Sequence, residues 1–130
     1  SAGEVRRDPG GLRRCGEGGV AVGWMRLLGE RARELRDQAW AKGANLSESG
    51  RGQLAIAVAA AMVAAARQGL DLCSRLFEVT GARSTHASLR LDRHWRNLRT
   101  QTLHDPVDYK LHELGAWSLN QSLPIPTFYS

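Results

Sequence analysis

His104 occupies the position in the sequence that is best suited to chemistry. It directly precedes Asp105 and Pro106, and Asp followed by Pro signals a helix start because the carboxylate accepts free backbone N–H groups and proline lacks an N–H. An imidazole at such a junction can donate to a reacting group, or exchange a proton with it, near neutral pH. The position alone also fits a histidine that only pairs with a carbonyl in the turn, so both interpretations stay open.

The remaining histidines and the cysteines show no metal-binding pattern. His86, His94, His104 and His112 are spaced by eight or ten residues, whereas a helical metal site uses pairs four residues apart. The chain has only two cysteines, and no Cys or His lies near either of them at metal-ligand spacing. We therefore expect no metal and no disulfide framework, and we expect a reducing compartment, which is the cytoplasm.

The charge balance favours small anions over nucleic acid. The chain carries 18 Lys and Arg against 13 Asp and Glu, a formal charge of +5. Its most basic segment, from Arg90 to Arg99, places an arginine at every third residue. Such steps rotate by about 60° on a helix, so these guanidinium groups spread around it and make no single stripe. This pattern predicts contacts with an interior anion or another subunit, and no nucleic acid partner.

Apolar residues that recur at steps of three and four predict an all-α fold, an up-and-down four-helix bundle. The predicted helices begin near Trp24, Glu48, Ala87 and Pro106 and end near Gly43, Val79, Leu103 and Leu119. Inward stripes are expected at Met25, Leu28, Ala32, Leu35 and Ala39, at Leu91, Trp95, Leu98 and Thr102, and at Val107, Leu111 and Leu114. The second helix is rich in alanine and apolar nearly all round, which predicts the centre of the bundle.

The two ends of the chain are predicted to lie outside the bundle, which spans 24–120. Residues 1–23 hold seven of the fourteen glycines and two arginine pairs without apolar periodicity, which predicts a mobile leader. Residues 121–130 contain two prolines and several apolar groups, which predicts an extended tail that docks on a surface. The longest apolar run, Leu54–Ala66, is too short and too rich in alanine to predict a membrane span.

Three linked segments resemble a known family. They are Phe77–Ser84 (FEVTGARS), Leu91–Thr100 (LDRHWRNLRT) and Leu103–Lys110 (LHDPVDYK). Together they are similar to the C-terminal domain of acyl-CoA dehydrogenase-like flavin monooxygenases, the group that includes dibenzothiophene monooxygenase. The resemblance covers roughly residues 45–130, and the first predicted helix fits it loosely.

The resemblance implies a homotetrameric enzyme that uses reduced FMN, supplied by a separate flavin reductase, and O2 to oxygenate a small organic substrate. It implies that Arg83 contacts the flavin across a subunit boundary and that His104 faces the reactive edge of the flavin. Both roles suit the residue types, because a guanidinium binds anions and an imidazole transfers protons near neutral pH.

Two departures from the family pattern limit what the resemblance implies. Gln101 stands where relatives often carry a histidine, and a neutral amide cannot titrate. The other two domains of the family are absent from these 130 residues, which predicts a fragment that does not complete the reaction alone. The alternatives are the corresponding domain of an FAD-dependent acyl-CoA dehydrogenase and a non-catalytic helical oligomerisation module.

Overall fold

The computed structural model describes residues 8–125, and all structural statements below concern that part of the chain. It contains four α-helices, α1 (Pro9–Lys42), α2 (Glu48–Thr80), α3 (Asp92–His104) and α4 (Val107–Asn120), and no strand within 8–125. The prediction of an all-α domain of four helices is confirmed.

The central helix is α2, as the sequence predicts, and the other three helices all pack against it. The hydroxyl of Ser47 caps its start by accepting a hydrogen bond from the N–H of Gly50 at 3.0 Å. Gly81 ends it with a φ of 81°, a conformation that residues with a side chain rarely adopt. The most deeply buried apolar side chains are those of Ala59 and Ala66. These small residues let the neighbouring helices approach α2 closely.

The predicted leader is wrong where the structure describes it, because α1 begins at Pro9 and includes residues 9–23. Asp8 caps this helix by accepting from the N–H of Gly11 at 2.6 Å, with Pro9 in the first turn. α1 contains seven glycines, which interrupt the apolar periodicity of the sequence. In the structure, small and apolar residues nevertheless form a continuous inward stripe along this helix. Its buried or half-buried members are Gly11, Gly18, Ala21, Met25, Leu28, Ala32, Leu35 and Ala39. Packing against α2 therefore overrides the low helix propensity of glycine.

Ion pairs hold the first turns of α1 against the last turns of α2. Glu17 accepts a hydrogen bond from Arg75 of α2, and Arg14 pairs with Glu78 of α2 at 3.2 Å. The hydrogen bond from Arg75, followed by one from Arg13, lowers the pKa of the Glu17 carboxyl from its usual 4.5. Because α1 and α2 are joined by a short turn at Gly43–Asn45, these contacts close the far end of an antiparallel helix pair.

The third and fourth helices follow one another along α2 and run in the same direction. Leu98 of α3 lies on Gly69, and Leu123, just after α4, lies on Gly52. The chain therefore runs antiparallel to α2 through both helices and keeps this direction at the break between α3 and α4. The docking that the sequence predicts for the tail is seen for Leu123 on the chain's own α2, while residues 126–130 lie outside the described part.

The start of α3 and the cap of α4 differ from the predicted ones. α3 begins at Asp92 and not at Ala87, because Arg90 adopts a left-handed conformation with a φ of 51° that interrupts the helix. Trp95, predicted to face inward, is 42% exposed in this chain. α4 begins at Val107 after Pro106, and the predicted cap by Asp105 is wrong, because no side chain caps this helix.

The helix α2 is also the one segment of residues 8–125 that is long and apolar enough to cross a membrane by length and composition. Core helices of bundles meet the same two criteria. The three helices packed on α2 cover part of its apolar surface, and most of that surface stays half-buried or exposed in this chain.

Candidate active site

The break between α3 and α4 opens a cleft beside His104. The cleft has a volume of about 580 Å³ and lies at the end of α3, of which His104 is the last residue. Its lining residues are His104, Asp105, Pro106, Tyr109, Lys110, His112 and Glu113. His104 and Tyr109 are both exposed. A volume of this size falls within the range of pockets that hold small molecules and cofactors.

Lys110 forms the floor of this cleft and is 7% exposed. Its ammonium nitrogen lies 3.7 Å from Oε2 of Glu113, one turn further along α4. Lys110 also borders a smaller cavity of about 150 Å³ between α2, α3 and α4. A buried lysine is uncommon, and in proteins such a group is paired with an opposite charge. The cleft therefore has a charged, fixed floor beneath an exposed imidazole.

Gln101 lies one helical turn before His104 in α3 and lines a different cavity. It borders the smaller cavity, together with Met62 and Ala66 of α2. Gln101 is absent from the lining of the larger cleft. A substitution at position 101 would therefore act on the cavity on the α2 side.

Arg83 lies in a short 3-10 turn, Ala82–Thr85, that directly follows α2. Its side chain is exposed, and none of the carboxylates of residues 8–125 lies within ion-pair distance of it. The next residue, Ser84, is buried and hydrogen-bonded within the turn. The turn thus presents a guanidinium that has no carboxylate partner among residues 8–125, on a fixed base, which suits the binding of an anion.

The structure does not bring Arg83 and His104 together within one chain. Arg83 follows the end of α2 at Thr80, whereas the residues on either side of His104 lie beside Met62–Ala66. At a rise of 1.5 Å per residue, these levels on α2 are roughly 25 Å apart. That span exceeds the length of a flavin ring system, so the ring alone does not reach from one residue to the other within one chain.

Sequence reasoning identified His104 but missed its neighbours in the cleft. Tyr109, His112 and Glu113 follow at steps of three and four along α4 and therefore share a face of that helix. Lys110 was missed because a lysine is normally read as a surface residue. The three-residue step from Lys110 to Glu113 is the available signal, since it places opposite charges together on a helix.

The sequence profile described as "Acyl-CoA dehydrogenase, C-terminal domain" matches residues 21–109. The chain belongs to this family. The observed helices agree with the resemblance that the motifs indicate.

Curated proteins that resemble the chain are monooxygenases. The probable FMNH2-dependent monooxygenase SfnC of Pseudomonas putida is 62% identical over 130 residues, which are 100% of this chain and 33% of that protein. Dibenzothiophene monooxygenase of Mycolicibacterium goodii is 44% identical over 123 residues, 95% of this chain and 30% of that protein. The chain therefore spans about a third of the length of the curated relatives it matches.

Solved structures of monooxygenases are also similar to the chain. Methanesulfinate monooxygenase MsuC from Pseudomonas fluorescens shows 74% identity and a TM-score of 0.95, covering 97% of this chain and 33% of that one. FMN-bound TdsC from a Paenibacillus species shows 37% identity and a TM-score of 0.91, covering 97% of this chain and 32% of that one. These relatives favour the monooxygenase interpretation over the FAD-dependent dehydrogenase alternative.

Proposed function

We propose that this chain is the C-terminal helical domain of a two-component, FMN-dependent monooxygenase that oxygenates a small organosulfur compound. The observation that carries the proposal is the His104 cleft, which forms in a chain 74% identical to the matching part of a methanesulfinate monooxygenase. The relatives supply the substrate class, because their names specify methanesulfinate and dibenzothiophene. The remainder of the enzyme's length corresponds to the two thirds of the relatives that this chain does not span.

Two features of the residues present, one of charge and one of cavity size, fit FMN. The guanidinium of Arg83, which pairs with no carboxylate in the described part of the chain, suits the phosphate of the cofactor, and the cleft beside His104 has the size of a small-molecule site. Reduced FMN would supply the electrons that activate O2. Arg83 would hold the phosphate of a flavin whose ring lies in the His104 cleft of another subunit.

His104 is proposed to exchange a proton with the reacting oxygen at the mouth of the cleft. Its imidazole is exposed at the end of α3 and has a solvent path to the other residues of the cleft. Proton transfer by a positioned imidazole contributes about 10²- to 10⁴-fold to a rate. The buried Lys110 and its partner Glu113 keep the floor of the cleft fixed, so that substrate and imidazole meet in one geometry.

A flavin reductase, a homotetramer and a cytoplasmic location complete the proposal. Exposed large apolar side chains support burial in a larger assembly, and they include Trp24, Leu27, Trp40, Leu103, Tyr109 and Leu119. The free thiols of Cys15 and Cys73 suit a reducing compartment. Self-association as the sole role of the chain is the alternative, and it predicts no flavin-dependent activity.

The test uses the full-length polypeptide that carries this chain, with a flavin reductase, FMN, NADH and methanesulfinate. We expect one atom of ¹⁸O₂ in the product, detected by mass spectrometry, and a loss of product of at least about 100-fold in His104→Ala. His94→Ala is the matched control, because His94 is an exposed histidine of α3 outside the cleft. Undiminished product from His104→Ala would remove the proposed role, and no oxygenation of methanesulfinate or dibenzothiophene would overturn the assigned chemistry.

A further inference from the structure

Two hydroxyl groups connect the end of α2 to the turn that carries Arg83. Oγ of Ser84 lies 2.7 Å from Oγ1 of Thr80 and 2.6 Å from the carbonyl oxygen of Gly81. Oγ1 of Thr80 also lies 2.8 Å from the carbonyl oxygen of Leu76, one turn back in α2. The two hydroxyl protons make two hydrogen bonds at any one time among these three short contacts, which form one chain from Leu76 to Gly81.

Ser84, which lies in the middle of this hydroxyl chain, is buried, whereas Thr80 and the rest of the turn are exposed. Ser84 is 6% exposed, while Ala82, Arg83 and Thr85 are exposed. The backbone adds hydrogen bonds on both sides of Arg83, from the N–H of Ser84 to Gly81 at 3.0 Å and from the N–H of His86 to the carbonyl of Arg83 at 3.2 Å. The base of Arg83 is therefore held on both sides, although its guanidinium contacts no carboxylate of residues 8–125.

A fixed base matters for an arginine that binds an anion. A long side chain loses rotational freedom when it is bound, and a mobile backbone would add to that loss. A turn held in place before the ligand arrives reduces the total loss and leaves more of the interaction as affinity. The hydrogen-bonded turn gives Arg83 this advantage without any contact between Ser84 and the ligand.

We propose that Ser84, together with Thr80, is a positioning residue that fixes Arg83 for the phosphate of FMN. This inference rests on the proposed function, specifically on the contact of Arg83 with the flavin. Removal of the Ser84 hydroxyl would leave the guanidinium in place but free its base. Net losses for a single hydrogen bond correspond to about a three- to ten-fold change in a binding constant.

The test compares FMN with riboflavin, which has the same ring system and lacks the phosphate. Dissociation constants are measured by fluorescence quenching on the full-length polypeptide for Ser84→Ala, Thr80→Val and Arg83→Ala. We expect Ser84→Ala and Thr80→Val to weaken FMN binding about three- to ten-fold and to leave riboflavin binding unchanged. Thr80→Ser keeps the hydroxyl and is expected to bind FMN as the wild type does.

The double variant Ser84→Ala with Arg83→Ala separates positioning from a general structural effect. It should bind FMN no more weakly than Arg83→Ala alone, because Ser84 acts only through Arg83. Equal weakening of FMN and riboflavin in Ser84→Ala would overturn the inference in favour of a role in stability. Should Ser84→Ala fail to fold, Thr80→Val tests the same hydroxyl chain from its other end.

The outcomes also distinguish this inference from the proposed function. Normal FMN binding by Arg83→Ala would refute the contact of Arg83 with the flavin, and this inference with it. Weaker FMN binding by Arg83→Ala, combined with normal binding by both Ser84→Ala and Thr80→Val, would refute the positioning role alone.

Discussion

Leu123 lies directly on the backbone of Gly52. A Cβ atom built on Gly52 would lie 2.8 Å from Cδ1 of Leu123 and 2.9 Å from its Cβ. The segment after α4 thus rests on α2 at a point where any side chain would push it away. This contact connects the first turns of α2 to the end of the described chain.

Gly52→Ala is expected to destabilise the domain by about 1–3 kcal/mol, as overpacking of a close contact does. The Cβ of Leu123 cannot move without its backbone, so relief requires displacement of the segment after α4. The measurement is urea denaturation followed by circular dichroism, with Leu123→Gly, which removes that Cβ, in the Gly52→Ala background as the control. No recovery of stability in that double variant would contradict the explanation.

Gly19→Ala is expected to have the opposite effect and to stabilise the chain by about 0.5–1 kcal/mol. Gly19 lies within α1, and an added Cβ would meet nothing within 4 Å. Alanine loses less conformational freedom than glycine when a helix forms. The same denaturation measurement on the isolated chain checks the sign. A loss of stability would show that another surface already approaches α1 at this point.

Acid is expected to loosen the first turns of α1 through Glu17. The pKa of Glu17 is lowered in the folded chain, chiefly by Arg75, so its carboxylate stabilises the fold above its usual value of 4.5. This contribution is lost as the pH falls through the lowered pKa. Amide exchange of residues 9–22 between pH 6 and pH 3 measures the effect. Glu17→Gln should remove that part of the pH dependence, and an unchanged profile in Glu17→Gln would assign the loosening to another group.

Removing Lys110 alone is expected to cost more stability than removing its whole ion pair. Lys110→Met leaves the Glu113 carboxylate, whose Oε2 is buried, without the ammonium that lies 3.7 Å away. Breaking a buried pair in this way costs about 3 kcal/mol. Lys110→Met combined with Glu113→Gln should recover most of this loss in urea denaturation. Equal losses for the single and double variants would indicate that Lys110 stabilises the fold by other contacts.

The sequence by itself determined the helical class, the central place of α2 and its two ends. Ser47 and Gly81 mark those ends through local chemistry, a hydroxyl that caps and a backbone that adopts a positive φ. The stripe from Met25 to Ala39 was likewise visible, because helical periodicity is a property of neighbouring residues. The position of His104 at a junction followed from Pro106, which cannot continue a helix.

Only the tertiary structure decided which of the local helix signals in the sequence correspond to observed helix starts and ends. The Asp-Pro signal is present at both Asp8 and Asp105, yet only Asp8 caps a helix. α1 extends through its glycines because α2 offers a surface of ion pairs and small side chains on which they pack. The burial of Lys110 and the separation of Arg83 and His104 by roughly 25 Å along the axis of α2 depend on how α3 and α4 lie along α2. Such contacts join residues far apart in the chain, and no local pattern encodes them.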